Sequence, residues 1–297
     1  MLAWTAVAAG LALPLARRRL RLPAAVSTAA VAVAPPALWV AAPRSRTRDA
    51  AVYALQMWAF MVLHELPYDK PERLERRVRV DYPIACDRLI GFGVLPTVRL
   101  QRALGKPGST GRLDRLLTFV HWAWFTEPHL AAAWILVRHP ERFPRSAALI
   151  GGVYDLGAIA YTIVPTAPPW WAAEHGTLPD VRRLMVEVGE RFWGPLWRPL
   201  YDFLGGNPVA AMPSLHFATS VMAAKVLSEA GPVAGAVGWS YAGVLGFALV
   251  YLGEHYAIDL IAGSALTAAV YRLAPRAAPS LLAAAGAVRT LEARARA

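Results

Sequence analysis

Four residues late in the chain have the types and spacing to work on a phosphoester: Ser214, His216, His255 and Asp259. His255 and Asp259 are four apart, which on a helix puts both on one face, so the carboxylate can accept a hydrogen bond from one ring nitrogen. That bond fixes the tautomer and leaves the other nitrogen's lone pair free to attack phosphorus. Asp259 also stabilises the imidazolium character that develops. The same pair fits a helix N-terminal histidine with an aspartate in the first turn, favoured by the helix dipole. Against that bland reading, an aspartate inside an apolar span is costly and marks a functional position by default. Upstream, Pro213-Ser214 reads as a helix start, whose free N–H groups form a phosphate cradle. Ser214 adds a hydroxyl donor, and His216 stands one turn in, placed to protonate a departing alkoxide. Taken singly, that segment also fits a capped helix with an interfacial histidine.

These residues need elements that bring them together. The chain is 56% apolar and only 17% charged, with long uncharged runs, which describes a polytopic all-α membrane protein and not a soluble domain. Candidate spans lie at 1–16, 24–42, 50–66, 114–137, 146–164, 214–229, 232–252 and 256–273. The first is short, since a helix needs about 20 residues to cross about 30 Å of hydrocarbon. The second holds Pro35-Pro36 and should kink. With 214–229 descending and 232–252 ascending, His216 and His255 arrive at one face of the bilayer on neighbouring helices. The loop Arg138–Arg145 carries three arginines, which places it in the cytoplasm by the positive-inside rule and the histidine face outside it. Arg17 to Arg21 breaks that rule if 1–16 spans. The expected site is therefore a multi-pass protein of the plasma membrane, with its chemistry on the extracytoplasmic face.

Two segments on that face are too long to be turns. Residues 67–113 mix charge with apolar positions and read as interfacial amphipathic helices. Residues 165–212 open on the stiff Pro165–Trp171 elbow and continue into a helix expected at 179–192, started by Pro179-Asp180. Trp170, Trp171, Trp193 and Trp197 suit headgroup depth. The expected organisation is an accessory membrane segment at 1–49, one or two extra helices long. A six-helix core follows at about 50–273 within a catalytic membrane domain at 50–275, then a cytoplasmic tail at 276–297.

The net charge of +11 raises the question of nucleic acid, but the basic residues sit between apolar segments, where anionic headgroups explain them. A single cysteine, Cys86, excludes an intrachain disulfide and a cysteine metal cage. There is no His-Glu-x-x-His, and one His/Asp pair with a distant histidine is poor zinc geometry, so no metal or other cofactor is expected. His64-Glu65, His121 and Glu127-Pro128-His129 read as interhelical hydrogen-bonding residues, with a cofactor or proton-relay role as the alternative. His175 reads as a surface histidine, with head-group contact as the alternative, and Lys225, deep in a span, as snorkelling or paired.

The wording of these motifs resembles the type 2 phosphatidic acid phosphatase (PAP2) superfamily, membrane lipid-phosphate phosphatases and phosphotransferases. Its second motif, Pro-Ser-Gly-His, is similar to Pro213-Ser214-Leu215-His216, and the His and Asp of its third motif match His255 and Asp259. Leu215, the Pro168-Pro169-Trp170 elbow, Asn207-Pro208 and His255-Tyr256 resemble the branch of inositol phosphorylceramide synthases. The resemblance implies His255 as nucleophile, Asp259 as its orienter, His216 as acid and base, and Ser214 as phosphate ligand. Ala248 and Leu249 stand where the third motif has Ser-Arg, so an arginine that binds phosphate is missing there. The first motif, Lys, six residues, Arg-Pro, is echoed by Arg191 and Arg198-Pro199, with Arg182 and Arg183 as rivals for the cationic role. A guanidinium holds phosphate bidentately, so arginine for lysine is chemically reasonable.

The expected activity is that of a membrane lipid phosphatase or phosphotransferase working through a phosphohistidine, of inositolphosphotransferase type. Its partners would be a lipid phosphate or phosphodiester and an alcohol or water acceptor. The alternatives are a polyprenyl- or phosphatidyl-phosphate phosphatase, and a catalytically dead relative that binds or transports lipid, which the missing arginine favours. Vanadate-dependent oxidation is disfavoured, because the relatives that perform it are soluble and arginine-rich at the anion site.

Overall fold

A computed structural model of the protein describes residues 2–65, 71–106, 108–178, 181–204 and 207–294. An N-terminal hairpin of α1 (Leu2–Leu20) and α2 (Ala24–Ala41) leads into α3 (Arg46–Glu65). Three short helices follow: α4 (Pro71–Glu75), α5 (Asp81–Ile90) and α6 (Pro96–Leu104). Then come α7 (Arg112–Ala123), α8 (Glu127–Arg138) and α9 (Phe143–Ile163). A second short group, α10 (Pro169–Glu174), α11 (Leu184–Trp193) and α12 (Trp197–Leu204), precedes α13 (Leu215–Ala230), α14 (Pro232–Tyr251) and α15 (Ala257–Arg294). Among the described residues there are isolated β-bridges but no strand.

The chain is an all-α polytopic membrane protein. Ala24–Ala41, Phe143–Ile163, Pro232–Tyr251 and Ala257–Ser280 are each long and apolar enough to cross a bilayer. Proline opens several helices (Pro128 in α8, Pro144 in α9, Pro232 in α14), where its missing N–H removes no helical bond. Outward faces stay apolar: Leu156, Ile159 and Ile163 on α9, and Val233, Val237 and Val244 on α14, are all exposed. In water these would form adhesive stripes, whereas lipid is their natural solvent.

The core is built around α13, which packs against α8, α9, α14 and α15. Ile135, Phe143, Leu149, Tyr154 and Met222 are buried there. Leu215, at the first turn of α13, presses on Gly157 of α9 so closely that a Cβ at position 157 has no room. A leucine at that point of the motif thus fills a groove that glycine opens in the neighbouring helix. The short helices build two satellite cores, one joining α7, α11 and α14 through Leu117, Leu184 and Tyr251, the other placing Ile84, Val98 and Leu178 against Tyr256.

Polar residues tie the bundle internally. Tyr53 and His129 Nδ1 are 2.9 Å apart, Gln56 donates to Asp155 at 2.5 Å, and Trp124 donates to Thr219 at 2.9 Å. Lys225 lies 4.2 Å from the ring centre of Tyr271, so it is paired within the protein. At the C-terminal end of α13, Glu229 accepts from Arg145 at 2.5 Å and from Tyr271 at 2.6 Å. His216 stands near the opposite end of this helix, 13 residues from Glu229, which at 1.5 Å per residue is about 20 Å away.

Several expected bounds shift. The span expected at 114–137 is interrupted: α7 ends at Ala123 and α8 starts at Glu127. The carbonyls of Ala123, Trp122 and His121 bond forward three residues through the intervening turn, and Pro128 cannot donate back across it. The helix expected over 179–192 runs from Leu184 to Trp193; Pro179 and Asp180 lie outside the described residues. α1 carries on past residue 16 through its arginines to Leu20, and α15 continues through the expected tail to Arg294.

Candidate active site

The turn after α14 delivers His255. Gly253 has φ of +83°, a conformation open to glycine, and a Cβ there would also lie 2.8 Å from the carbonyl oxygen of Arg182. Leu249 accepts from the backbone N–H groups of both Glu254 and His255 at 3.1 Å, so position 249 anchors this turn through its carbonyl. Four residues on, Asp259 is fully buried; its Oδ2 lies 3.2 Å from His255 Nδ1 and accepts from the Tyr256 N–H at 2.9 Å. With Asp259 ionised, its Oδ2 can only accept, which places the hydrogen on His255 Nδ1 and the lone pair on Nε2. That Nε2 lies 3.1 Å from His216 Nδ1. Asp259, His255 and His216 thus form one continuous relay, with His255 buried and His216 half-buried.

Ser214 is fully buried at the N-cap of α13. Its oxygen accepts from the Phe217 N–H at 3.3 Å, and its own N–H donates to the Asp259 carbonyl at 3.0 Å. The Leu215 N–H donates to the Tyr161 hydroxyl at 3.2 Å, and that hydroxyl donates to the Pro213 carbonyl at 2.7 Å. The expected phosphate cradle is therefore already occupied at the N–H groups of 215 and 217, and Ser214 serves as the brace between α13 and α15.

Asp87 supplies a second brace that sequence reasoning missed. From α5 it accepts the N–H of Ala257 at 3.0 Å and of Ile258 at 2.9 Å, capping α15 from 170 residues away. Burial pushes its carboxyl above the ordinary carboxylate range, and these two bonds pull it back. Asp87→Ala would orphan both donors at the helix that carries Asp259. We expect it to lower stability by about 1–2 kcal/mol and to reduce kcat more than it raises KM, with Asp87→Asn falling between. Thermal unfolding in detergent alongside steady-state turnover checks this; an unchanged melting temperature with unchanged kcat would remove Asp87 from the account.

Beside the relay lies a cavity of about 250 Å³ lined by His121, His216, Glu254, Trp122, Trp197 and Tyr201 among others. Arg183 borders it. Its guanidinium carbon sits 3.3 Å from the ring centre of Trp170, it donates to the Tyr201 hydroxyl, and its Nε is 3.6 Å from Glu254 Oε1. Burial raises the pKa of Glu254, and the charge of Arg183 opposes that rise. The other arginines are directed elsewhere. Arg182 binds Glu187 and the carbonyls of Lys106, at 2.7 Å, and Ser109, at 3.1 Å. Arg191 donates to Thr110 at 3.1 Å and to the Gly108 carbonyl at 3.4 Å. Arg198 belongs to α12, and its side chain lies outside the described residues. His175 bonds to the Trp171 carbonyl at 2.8 Å and is exposed. Among the described residues no three His, Cys, Asp or Glu side chains come together as a metal-binding group.

A family model described as "PAP2 superfamily" matches residues 85–273, which takes in the short helices, the relay and the cavity. Among curated proteins, inositol phosphorylceramide synthase of Candida albicans is 30% identical over 176 residues, covering 55% of this chain and 36% of that protein. The chain therefore spans little more than a third of that relative's length. No solved structure matches it.

Proposed function

The chain belongs to the PAP2 superfamily, and from that premise we propose that it is an integral-membrane lipid phosphotransferase acting through a phosphohistidine. One observation carries the reading: the Asp259–His255–His216 relay, with contacts of 3.2 and 3.1 Å, opening on a cavity with aromatic walls. A phosphodiester entering that cavity parts the contact between the two imidazoles. His255 Nε2 attacks phosphorus; the N–P bond forms as the P–O bond to the leaving alkoxide breaks, and His216, entering the step as the imidazolium, gives that oxygen its proton and becomes neutral. Asp259 holds the Nδ1 proton throughout. In the second half His216 takes the proton of an acceptor hydroxyl, the new P–O bond forms and the N–P bond breaks, restoring His255.

Water as acceptor makes the same site a phosphatase. The indole and phenol walls around His216 disfavour a water-filled site, which supports transfer over hydrolysis. The wording Pro213-Ser214-Leu215-His216 and the likeness to an inositol phosphorylceramide synthase support a phosphoinositol or related phosphoalcohol head group as the unit moved. The active face is proposed to be the extracytoplasmic side of the plasma membrane. Purified protein should convert short-chain phosphatidylinositol plus ceramide into diacylglycerol and the phosphoceramide product, read by mass spectrometry of both lipids. Release of free phosphate from a lipid monoester, with no diester transfer, would replace the transferase reading with the phosphatase one. No turnover of either class would contradict the enzyme reading.

A further inference from the structure

The relay accounts for His216 and His255 but leaves a third imidazole unexplained. His121, on the last turn of α7, is only 4% exposed, and neither ring nitrogen has a hydrogen-bond partner among the described residues. His129, by contrast, is satisfied by Tyr53. A neutral imidazole carries one donor and one acceptor, and nearly all buried groups of this kind are paired in folded proteins. The His121 ring stacks on His216, with centroids 4.9 Å apart and planes at 29°. It lines the same cavity as His216 and Glu254, within electrostatic reach of both His255 and Arg183. Its ring thus lines the space beside the relay while both of its buried nitrogens lack a partner among the described residues.

The described residues that line that space include no cationic donor. A transferring phosphoryl group spreads charge over three equatorial oxygens, each needing one. Position 249 offers a fully buried leucine, while Arg182 and Arg191 are held by loop groups. We propose that His121 is a phosphate-binding residue, its ring N–H holding an oxygen of the transferring phosphoryl group alongside Arg183. The assignment rests on the reading of His255 as nucleophile, because the oxygen concerned is defined by the phosphorus that His255 attacks.

Orthovanadate, a mimic of the phosphoryl group in flight, tests this without knowledge of the lipid. Its binding to the detergent-purified full chain is measured by equilibrium dialysis for the wild type, His255→Ala, His121→Phe and His121→Asn. The wild type should bind saturably, and His255→Ala should abolish binding. His121→Phe should weaken it about tenfold or more, the loss of one charge-assisted hydrogen bond. His121→Asn, which restores an N–H, should recover part of the loss; His121→Leu stands in if the phenylalanine variant is not monodisperse. Wild-type affinity in the donor-less variants, with binding still dependent on His255, would overturn the role of His121 and leave the nucleophile standing. Binding that is absent in the wild type, or equal in His255→Ala, would overturn both.

Discussion

Replacing His255 with alanine should lower lipid turnover at least about a thousandfold, equivalent to about 4 kcal/mol of transition-state stabilisation, while leaving the fold intact. The size follows from the role: without Nε2 there is no atom to accept phosphorus, and the relay has no middle. The fold should survive because Asp259 keeps the Tyr256 N–H as a donor and Asp87 still caps α15. His216→Ala separates the two chemical roles. With an alkyl leaving group its loss should be comparable, because an alkoxide departs poorly without a proton. With a p-nitrophenyl phosphodiester, whose leaving group needs no proton, the first half-reaction should run at nearly the wild-type rate. Equal losses of His216→Ala on both substrates, in a single-turnover assay, would show that His216 does not act as the acid.

The second large effect is expected at Arg183. It contacts Tyr201 and Glu254, which line the cavity, and is clamped between Trp170 and Tyr201. A guanidinium held by two aromatic faces is already oriented for an incoming phosphate, which would compete with Glu254 for it. Arg183→Ala should cut kcat/KM about a hundredfold or more, in the range seen when one transition-state donor is deleted. Arg183→Lys should recover little, because an ammonium neither stacks like the planar fork nor binds two oxygens at once. Arg191→Ala is the control: among the described residues its donors reach Thr110 and Gly108, so kcat/KM should move by less than about threefold. Equal falls at 183 and 191 in steady-state assays would dissolve the distinction between them.

The parts of this site that local chain geometry controls were open to reading from the sequence. A spacing of four on a helix brings His255 and Asp259 together whatever surrounds them, and two apolar runs joined by a tight turn return His216 and His255 to one end of the bundle. What escaped depends on distant packing. Asp87 sits in an amphipathic segment that by pattern belongs to the membrane surface, and nothing in its neighbourhood announces that it caps α15. His121 looks like His129 in sequence, both histidines near a helix end, yet one is bonded and the other is not. The break between α7 and α8 did leave a signal: Glu127-Pro128 is a helix start, and apolar continuity across it outweighed that cue. Choosing among four arginines was beyond spacing, since Arg182 and Arg183 are adjacent and yet one pairs with Glu187 and the other with Glu254.

The most direct measurement is the chemical state of His255 during turnover. Purified protein mixed with a ³²P-labelled lipid diester, quenched in alkali within milliseconds, should carry label on His255. The bond should survive base, be lost in acid, be absent in His255→Ala and be chased by unlabelled acceptor lipid. Full turnover by the wild type with no acid-labile label under these conditions, or label that persists in His255→Ala, would contradict the phosphohistidine account.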